Sequence, residues 1–440
     1  MEGVVFKAWK SEGRQPLQLS ARLDWPEAAI LPPSYCHANV STANQMTLLH
    51  PRYEANSHNG GTAPKAIPAE GTCAASTRGP AGPPHGVGCY GLGDWNRVFL
   101  CWLFGGILAC VLGYSLAAVT VDPRGYFGTG LFPASALNSR QLKLSLFREY
   151  SRGGQIDGII LGSSRSMAVS PRLLDEQGLG RSFNFAVNSA RSEDYFAIFQ
   201  WSIAEGAKTK WLLLGLDVEA LHNVVRLDDR LRTNPPLMAA LGESKLDRFR
   251  NETSSWFAIS EAVVSDGYAM DMLTSLRAQS GDFLEWIHLE SDGCVSFPRW
   301  ERDRQQGSFS LDNNILRSCD EYRRRFASMT ALSRERVDLL ERLLEAATSR
   351  QVRVVVWITP LHPRVVQALE RDTGFATVLN ETRALVSELG RRFGVRTLDF
   401  SEPRSFGGNS VDWWDGAHIN EQNAARLAVR LAQELRRDGS

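Results

Sequence analysis

The stretch IDGIILGSSRS, residues 156–166, decides the fold that we expect for this chain of 440 residues. An apolar run of strand length ends in a glycine and a series of small polar residues. Four further apolar runs follow, and helical patterns alternate with them. Such runs, rich in Val, Ile and Leu, are typical of parallel strands buried on both faces. The expected strands are Ile156–Leu161, Phe183–Val187, Trp211–Leu216, Val352–Ile358 and Val395–Phe400.

The alternation of strands and helices predicts an α/β domain over residues 155–440, built on a doubly wound parallel sheet of the flavodoxin-like type. One long region interrupts the pattern. Residues 222–332 are charged, aromatic and mostly helical in pattern, and we assign them to an insertion between the third and fourth strands. The insertion either shapes access to a site at the sheet edge or is a passive packing subdomain.

A second polar segment, DGAHIN at residues 415–420, opens the last predicted helix. The carboxyl ends of parallel strands form the edge where open α/β folds place their sites, so Ser164 and this segment should meet there. A serine hydroxyl needs a neighbouring base, and a histidine held by a carboxylate supplies it. We therefore predict Ser164 as nucleophile, His418 as base and Asp415 as orienting acid. The alternative is a plain turn and an ordinary histidine at a helix start.

A membrane segment precedes the α/β domain. Residues 98–121, VFLCWLFGGILACVLGYSLAAVTV, contain no charged side chain. As a helix they would extend about 36 Å, enough to cross a hydrocarbon core of about 30 Å. We predict one transmembrane helix, with a buried core helix as the alternative. Residues 122–154 are a juxtamembrane linker, and residues 1–95 a low-complexity tail expected to be disordered.

Composition narrows the function classes. The 49 basic residues balance the 49 acidic ones, so there is no electrostatic case for nucleic acid binding. The cysteines show no zinc-type spacing, and we expect neither a metal site nor a cofactor.

The two polar segments resemble the SGNH (GDSL-like) hydrolase superfamily. That family carries Gly-Asp-Ser after its first strand, and this chain has Gly162-Ser163-Ser164 there. The family's closing Asp-x-x-His is matched by Asp415 and His418. The resemblance covers residues 155–437 without the insertion, and it implies an acyl-ester intermediate on Ser164.

The family's middle motifs are altered in this chain. The segment Asn184–Ala190 resembles the second motif and assigns Asn188 and Ser189 to the oxyanion site, with Ser189 in place of a glycine. In the third motif Asp217 replaces an asparagine whose amide would donate to the oxyanion. An ionised carboxylate cannot donate, and losing one such donor costs about 2.7–4 kcal/mol. Asp217 is therefore protonated, serves another role, or marks a weakened enzyme.

Other polar and aromatic residues are weaker candidates for this site. Arg165 either holds an anionic substrate group or pairs with Asp217 or Glu219. His362, after the fourth strand, either contacts substrate or is structural. Trp413 and Trp414 either stack on a sugar face or pack the rim of the site.

The combined motifs are similar to those of a membrane-anchored branch that acts in envelope acyl transfer, such as polysaccharide O-acetylation. The resemblance implies a serine acyltransferase or esterase in the inner (cytoplasmic) membrane, with the C-terminal domain outside the cytoplasm. Its partners would be the membrane, an envelope glycan or lipid ester, and a membrane acyl exporter. Basic residues flank the span evenly, so charge does not choose the orientation. A non-catalytic scaffold in a polysaccharide-assembly complex and an anchored lipase are the alternatives.

Cys294 and Cys319 are the only cysteines of the predicted α/β domain. Outside the cytoplasm a disulfide between them would persist and would stabilise the insertion by about 3 kcal/mol. The alternative is two unrelated thiols.

Overall fold

The computed structural model describes residues 92–133, 138–224, 226–277 and 287–437. Most of the predicted tail, residues 1–91, lies outside the described residues. The helices are α1 Leu92–Val121, α2 Ser139–Arg152, α3 Pro171–Glu176, α4 Ser192–Ala204, α5 Asp229–Arg232, α6 Pro235–Ala240, α7 Lys245–Val263, α8 Asp266–Arg277, α9 Pro298–Gln305, α10 Leu311–Phe326, α11 Arg334–Thr348, α12 Pro363–Asp372, α13 Phe375–Phe393 and α14 Glu421–Arg437. The strands are β1 Gly158–Leu161, β2 Ser182–Asn184, β3 Trp211–Leu216, β4 His288–Leu289, β5 Val295–Ser296, β6 Arg353–Ile358 and β7 Arg396–Asp399.

Five strands form one parallel sheet in the order β2-β1-β3-β6-β7. This is the predicted doubly wound, flavodoxin-like α/β sheet, and each strand lies within or overlaps a predicted apolar run. The sheet has a buried side chain layer on each face. Leu212 and Leu214 of β3 point into a core shared with α4, α11 and α13, whereas Leu213 points into a second core with α3 and α14. Burial on both faces explains why the strand sequences do not alternate.

The region between β3 and β6 is mostly helical, as its composition indicated. Residues 222–332 contribute α5 to α10 and a short antiparallel hairpin of β4 and β5. The hairpin contacts the sheet directly. The N–H of Asn184, at the end of β2, donates to the carbonyl of Asp292, and the N–H of Val295 donates to the carbonyl of Met167. The insertion therefore reaches the edge of the sheet where Ser164 lies.

Helix α1 is long and apolar enough to cross a membrane, with 27 residues from Trp95 to Val121 and a mean hydropathy of 2.0. Its side chains from Trp95 to Leu112 are exposed. Only its last turns are covered, where Ala118 and Val121 pack against Tyr268 and Met272 of α8.

The predicted disulfide between Cys294 and Cys319 is wrong in this structure, where both are free thiols. The two cysteines have different neighbours. Cys319 lies on α10 with its sulfur 3.9 Å from the carbonyl oxygen of Arg364 on α12. Cys294 lies in the β4–β5 hairpin, where burial raises the pKa of its thiol to about 12.

Candidate active site

Ser164 lies in a tight turn directly after β1. The N–H of Ser166 donates to the carbonyl of Ser163 at 3.0 Å. Gly162 begins the turn with φ +155°, and a Cβ at this position would come within 2.3 Å of the Ser166 Oγ. A Cβ on Gly215 of β3 would be 2.1 Å from the same Oγ atom. Glycine at both positions therefore makes room for Ser166, so that the turn can close and present Ser164 at the sheet edge.

Asn184 fixes this turn from the neighbouring strand. Its side chain is fully buried, and its amide donates to the carbonyls of Ser166, Met167 and Val169 at 2.9, 3.2 and 2.8 Å. Lys143 of α2, also fully buried, donates its Nζ to the Asn184 carbonyl at 2.9 Å, and burial lowers the pKa of this lysine to about 7. Sequence reasoning did not assign Asn184 this role. The signal was an amide side chain at the end of an otherwise apolar strand.

The structure brings Ser164, His418 and Asp415 into one hydrogen-bonded relay. The His418 Nε2 is 2.9 Å from the Ser164 Oγ, and its Nδ1 is 2.8 Å from one carboxylate oxygen of Asp415. The other carboxylate oxygen accepts the N–H groups of Ala417 and His418, both at 2.7 Å. These two bonds orient the carboxylate, which in turn orients the imidazole toward the serine.

The electrostatics of the relay suit proton transfer. Burial disfavours the charged form of His418, but the Asp415 carboxylate and its hydrogen bond outweigh that cost, so the pKa of His418 is raised. Burial would likewise raise the pKa of Asp415, whereas the imidazole and the two N–H donors lower it, with a net lowering. Asp415 is therefore ionised near neutral pH, and His418 is a stronger base than an isolated imidazole.

Asp217 lies at the end of β3 in a second polar cluster. The Thr359 hydroxyl donates to its carboxylate at 2.6 Å, and the Arg165 guanidinium is 3.7 Å away. Arg165 also forms an ion pair with Glu219 and lies over the Tyr322 ring, 5.1 Å from its centroid. Of the two roles predicted for Arg165, the structure shows the pairing. The Asp217 carboxylate accepts the Thr359 hydrogen bond and pairs with Arg165, which favours another role for it over the oxyanion donor considered from sequence.

Ser189 and Asn188 lie in the loop after β2, beside the nucleophile turn. The Val187 N–H donates to the Gly162 carbonyl at 3.0 Å, which holds the two loops together. Ser189 has φ +52°, a left-handed conformation that glycine adopts more easily, as its place in the motif predicted. The Asn188 N–H already donates to the Ser139 hydroxyl at 3.0 Å. Within the described chain, the N–H groups of Ser164 and Ser189 have no acceptor.

The structure places His362 in a structural position. Its ring is buried, with Nε2 3.0 Å from the carbonyl oxygen of Ser410 and Nδ1 accepting the N–H of Arg364 at 3.2 Å. Both ring nitrogens are used by a loop and by the first turn of α12, which favours the structural alternative over a substrate contact. Trp413 and Trp414 are also fully buried, which favours packing of the rim over stacking on a sugar.

The insertion supplies an aromatic wall that sequence reasoning missed. The ring of Phe297 lies 6.0 Å from the His418 ring, and the half-buried ring of Trp300 lies 6.2 Å from it. Trp414 stacks behind Trp300 at 5.8 Å, and Arg304 lies over Trp414 at 4.1 Å. Trp300 is therefore the tryptophan at the mouth of the site, and Trp414 supports it.

No family model and no curated protein matches this chain. Among the solved structures that it resembles is a Bacteroides fragilis protein named "putative acylhydrolase". The two are 8% identical with a TM-score of 0.31, and the match covers 66% of this chain and 94% of the other.

Proposed function

We propose that this chain is a serine-dependent acyltransferase or esterase that is anchored in a membrane and forms an acyl ester on Ser164. The observation that carries the proposal is the relay itself, with 2.9 Å from serine to histidine and 2.8 Å from histidine to aspartate. The motifs that resemble SGNH hydrolases provide the same three residues in the same order. The separations lie within hydrogen-bond reach without any rearrangement.

The proposed reaction has two halves, acylation of Ser164 and its deacylation, and both use the same three residues. The Ser164 oxygen attacks the acyl carbonyl while its proton passes to the His418 Nε2. The proton then goes to the leaving alkoxide, which departs and leaves the acyl group on Ser164. A hydroxyl acceptor or water next gives its proton to His418 and attacks the ester, and the proton returns to the serine oxygen. Throughout, Asp415 stabilises the imidazolium without taking the proton.

The N–H groups of Ser164 and Ser189 are the donors that we assign to the oxyanion. Each lacks an acceptor within the described residues, and the pairing of Val187 with Gly162 sets the two loops side by side. Asp217 provides no third donor. We therefore expect an oxyanion site with two backbone donors, weaker by about 2.7–4 kcal/mol than one with an additional side-chain amide.

The substrate that we propose is an ester of an envelope glycan or lipid, with the catalytic domain outside the cytoplasm. The support is the apolar helix α1 together with the motif resemblance. Partly exposed Trp300 at the mouth of the site is a surface suited to a sugar face. A C-terminal alkaline phosphatase fusion tests the orientation: the fusion is active if the domain is exported and inactive if it is cytoplasmic.

A fluorophosphonate probe on the full chain in isolated membranes tests the serine chemistry. We expect labelling of the wild type, no labelling of Ser164→Ala, and retained labelling of the matched control Ser163→Ala, whose hydroxyl accepts the Arg165 N–H instead. Labelling of Ser164→Ala, or none of the wild type, would contradict the proposal. An activated ester then separates the two activities, because a transferase acylates an added glycan and an esterase only releases the acid.

A non-catalytic scaffold is the second candidate, and one observation favours it. Asp217, which directly follows β3 where the family pattern has an amide donor, accepts a hydrogen bond from Thr359 and lies beside Arg165. A folded wild type that the probe does not label would support this reading.

A further inference from the structure

Exposed apolar side chains are concentrated on one pair of helices outside α1. Among the described residues beyond α1, eight of thirteen exposed large apolar side chains belong to α7, α8 and their connection. Phe257 and Val264 are 71% and 75% exposed, and Trp256 is 49% exposed. The eight are Leu246, Phe249, Trp256, Phe257, Val264, Met270, Leu273 and Leu276. A patch of this kind marks a surface that contacts something other than water.

The spacing on α7 puts these side chains on one face. Phe249 lies three residues after Leu246, and Trp256 and Phe257 lie seven and eight residues after Phe249, separations that return to the same side of a helix. The opposite side is buried, with Ser255, Ala258 and Ile259 turned inward. In most surface helices the large apolar residues face the core, but in α7 they face outward.

Helices α7 and α8 are fastened to the last turns of α1. The Tyr114 hydroxyl donates to the carbonyl of Val263, at the end of α7, at 2.6 Å. The Tyr268 hydroxyl of α8 donates to the carbonyl of Ala118 at 3.1 Å. Just beyond α1, Arg124 forms an ion pair with Asp271 at 2.6 Å. These contacts fix the level of the end of α7 and of the first half of α8 along the axis of α1.

That level coincides with a membrane surface if α1 spans the bilayer. Crossing the hydrocarbon core takes about 20 apolar helical residues. Counted from Val98, the first residue after Arg97, the core ends at about residue 117. Tyr114 and Ala118, the residues that contact α7 and α8, thus lie at the boundary between hydrocarbon and headgroups. Tyrosine and tryptophan are enriched at this depth.

We propose that the outward apolar face of α7 and α8 is immersed in the lipid surface around α1, so that the insertion is a second membrane contact of this chain. Residues 245–277 carry four basic and five acidic side chains, so attraction to anionic headgroups does not drive the contact. Burial of apolar surface drives it instead, as in interfacial helices. The proposal rests on α1 spanning the membrane and goes beyond the acyl-transfer chemistry, which is independent of it.

The experiment places the full chain in nanodiscs made with or without lipids brominated along the acyl chains, which quench tryptophan on contact. Three single variants are compared with the wild type: Trp256→Phe, Trp102→Phe and Trp357→Phe. The difference in fluorescence between the wild type and each variant gives the contribution of the tryptophan that was replaced. Trp102 is 79% exposed on α1 and is the positive control, and Trp357 is fully buried in β6 and is the negative control. We expect bromine to quench Trp256 and Trp102 several-fold and to leave Trp357 unchanged, at low and at high salt.

Each other outcome overturns the proposal in a distinguishable way. If Trp102 is quenched and Trp256 is not, α1 spans but the face is not in lipid. Acrylamide then separates a water-exposed Trp256, which it quenches, from one covered by a second copy of the chain, which it does not. If Trp102 is not quenched, the span fails and the proposal with it. None of these readouts requires activity, so probe labelling of Ser164 reports separately on the acyl chemistry.

Discussion

Two polar clusters flank Ser164, and they differ in where their hydrogen bonds end. The first runs from Asp415 through His418 to the half-exposed hydroxyl of Ser164. Its last member is a nucleophile at the opening of the site. It is therefore an open chain of bonds through which a proton can pass to and from a bound substrate.

The second cluster closes on itself. Arg165 contacts Asp217, Glu219 and Thr359, and the Thr359 hydroxyl returns to Asp217. Burial disfavours the charge on Arg165, but the two carboxylates outweigh it and raise its pKa. These ion pairs and hydrogen bonds join the nucleophile turn to the ends of β3 and β6. Among the described residues, the Arg165 Nε and one Glu219 oxygen have no hydrogen-bond partner. The comparison teaches that two adjacent residues of one motif can have different roles. Ser164 takes part in the reaction, whereas Arg165 stabilises the structure around it.

The largest effect should come from replacing His418, which acts as the base in the relay of Asp415, His418 and Ser164. We expect His418→Ala to lower kcat by about 10⁶-fold, as loss of the base does in other serine triads. The free energy of unfolding should change far less than the activation free energy of the reaction. A matched control is His362→Gln, which alters a buried histidine outside the relay. Rates on an activated ester, measured for protein that still shows a cooperative melt, compare the two variants, and equal rates would contradict the distinction.

Asp415→Asn should lower kcat by about 10⁴-fold, because the amide favours the wrong tautomer of the imidazole. It also predicts a pH shift whose sign follows from the pKa of His418. Only the neutral ring can accept the serine proton, so kcat/KM rises as the pH increases through that pKa. Asp415 raises the pKa, and its neutralisation should therefore move the rise to lower pH. A pH profile that moves upward or stays in place would contradict this role.

Substitutions in the second cluster, around Arg165 and Asp217, should lower the free energy of unfolding. Arg165→Met removes the cation that pairs with buried Asp217 and partly exposed Glu219, and loss of one partner of a buried pair typically costs about 3–5 kcal/mol. We expect chemical denaturation to show a loss of this size. Asp217→Asn should cost less, because the amide oxygen still accepts the Thr359 hydroxyl. If Arg165→Met keeps its stability but raises KM tenfold or more, Arg165 binds substrate instead.

The sequence predicted the sheet well because buried parallel strands leave a simple apolar signature. Trp211–Leu216 was placed to the residue. It also predicted the relay, since Ser164 and the Asp415–His418 pair sit at positions that the fold brings to one edge. Neither prediction depends on the details of side-chain packing.

What the sequence could not predict is which neighbour each polar group would choose. His362 had two reasonable partners, and a loop carbonyl took one ring nitrogen. Cys294 and Cys319 share an insertion, but the hairpin and α10 give them different surroundings. Trp300 had no motif around it, and its position beside His418 follows from the path of the insertion. Such choices are set by tertiary contacts that no local pattern encodes.

Asn184 lies outside the relay but holds the turn that positions Ser164, and replacing it tests this positioning role. Asn184→Leu would leave the buried Val169 carbonyl without its donor, whereas the Ser166 and Met167 carbonyls would keep the N–H groups of Val169 and Val295. An unsatisfied buried group costs about 1–3 kcal/mol in the general case. Partial relaxation of the turn should keep the loss of stability near the low end of this range. The rate should fall by about 10²-fold through misplacement of Ser164. We expect kcat to fall with KM unchanged, measured on an activated ester, and a change in KM alone would contradict a positioning role.

The smallest effect, and the only expected gain, concerns Ser189. Its φ of +52° strains a residue with a Cβ, and glycine relieves strain of this kind by about 1 kcal/mol. Glycine also has greater chain entropy when unfolded, which offsets part of the gain. Ser189→Gly should therefore raise the unfolding midpoint slightly. The N–H that we assign to the oxyanion remains, so kcat should be kept or raised. A tenfold loss of kcat in a protein of unchanged stability would show that the Ser189 hydroxyl, and not its backbone, serves the open cluster.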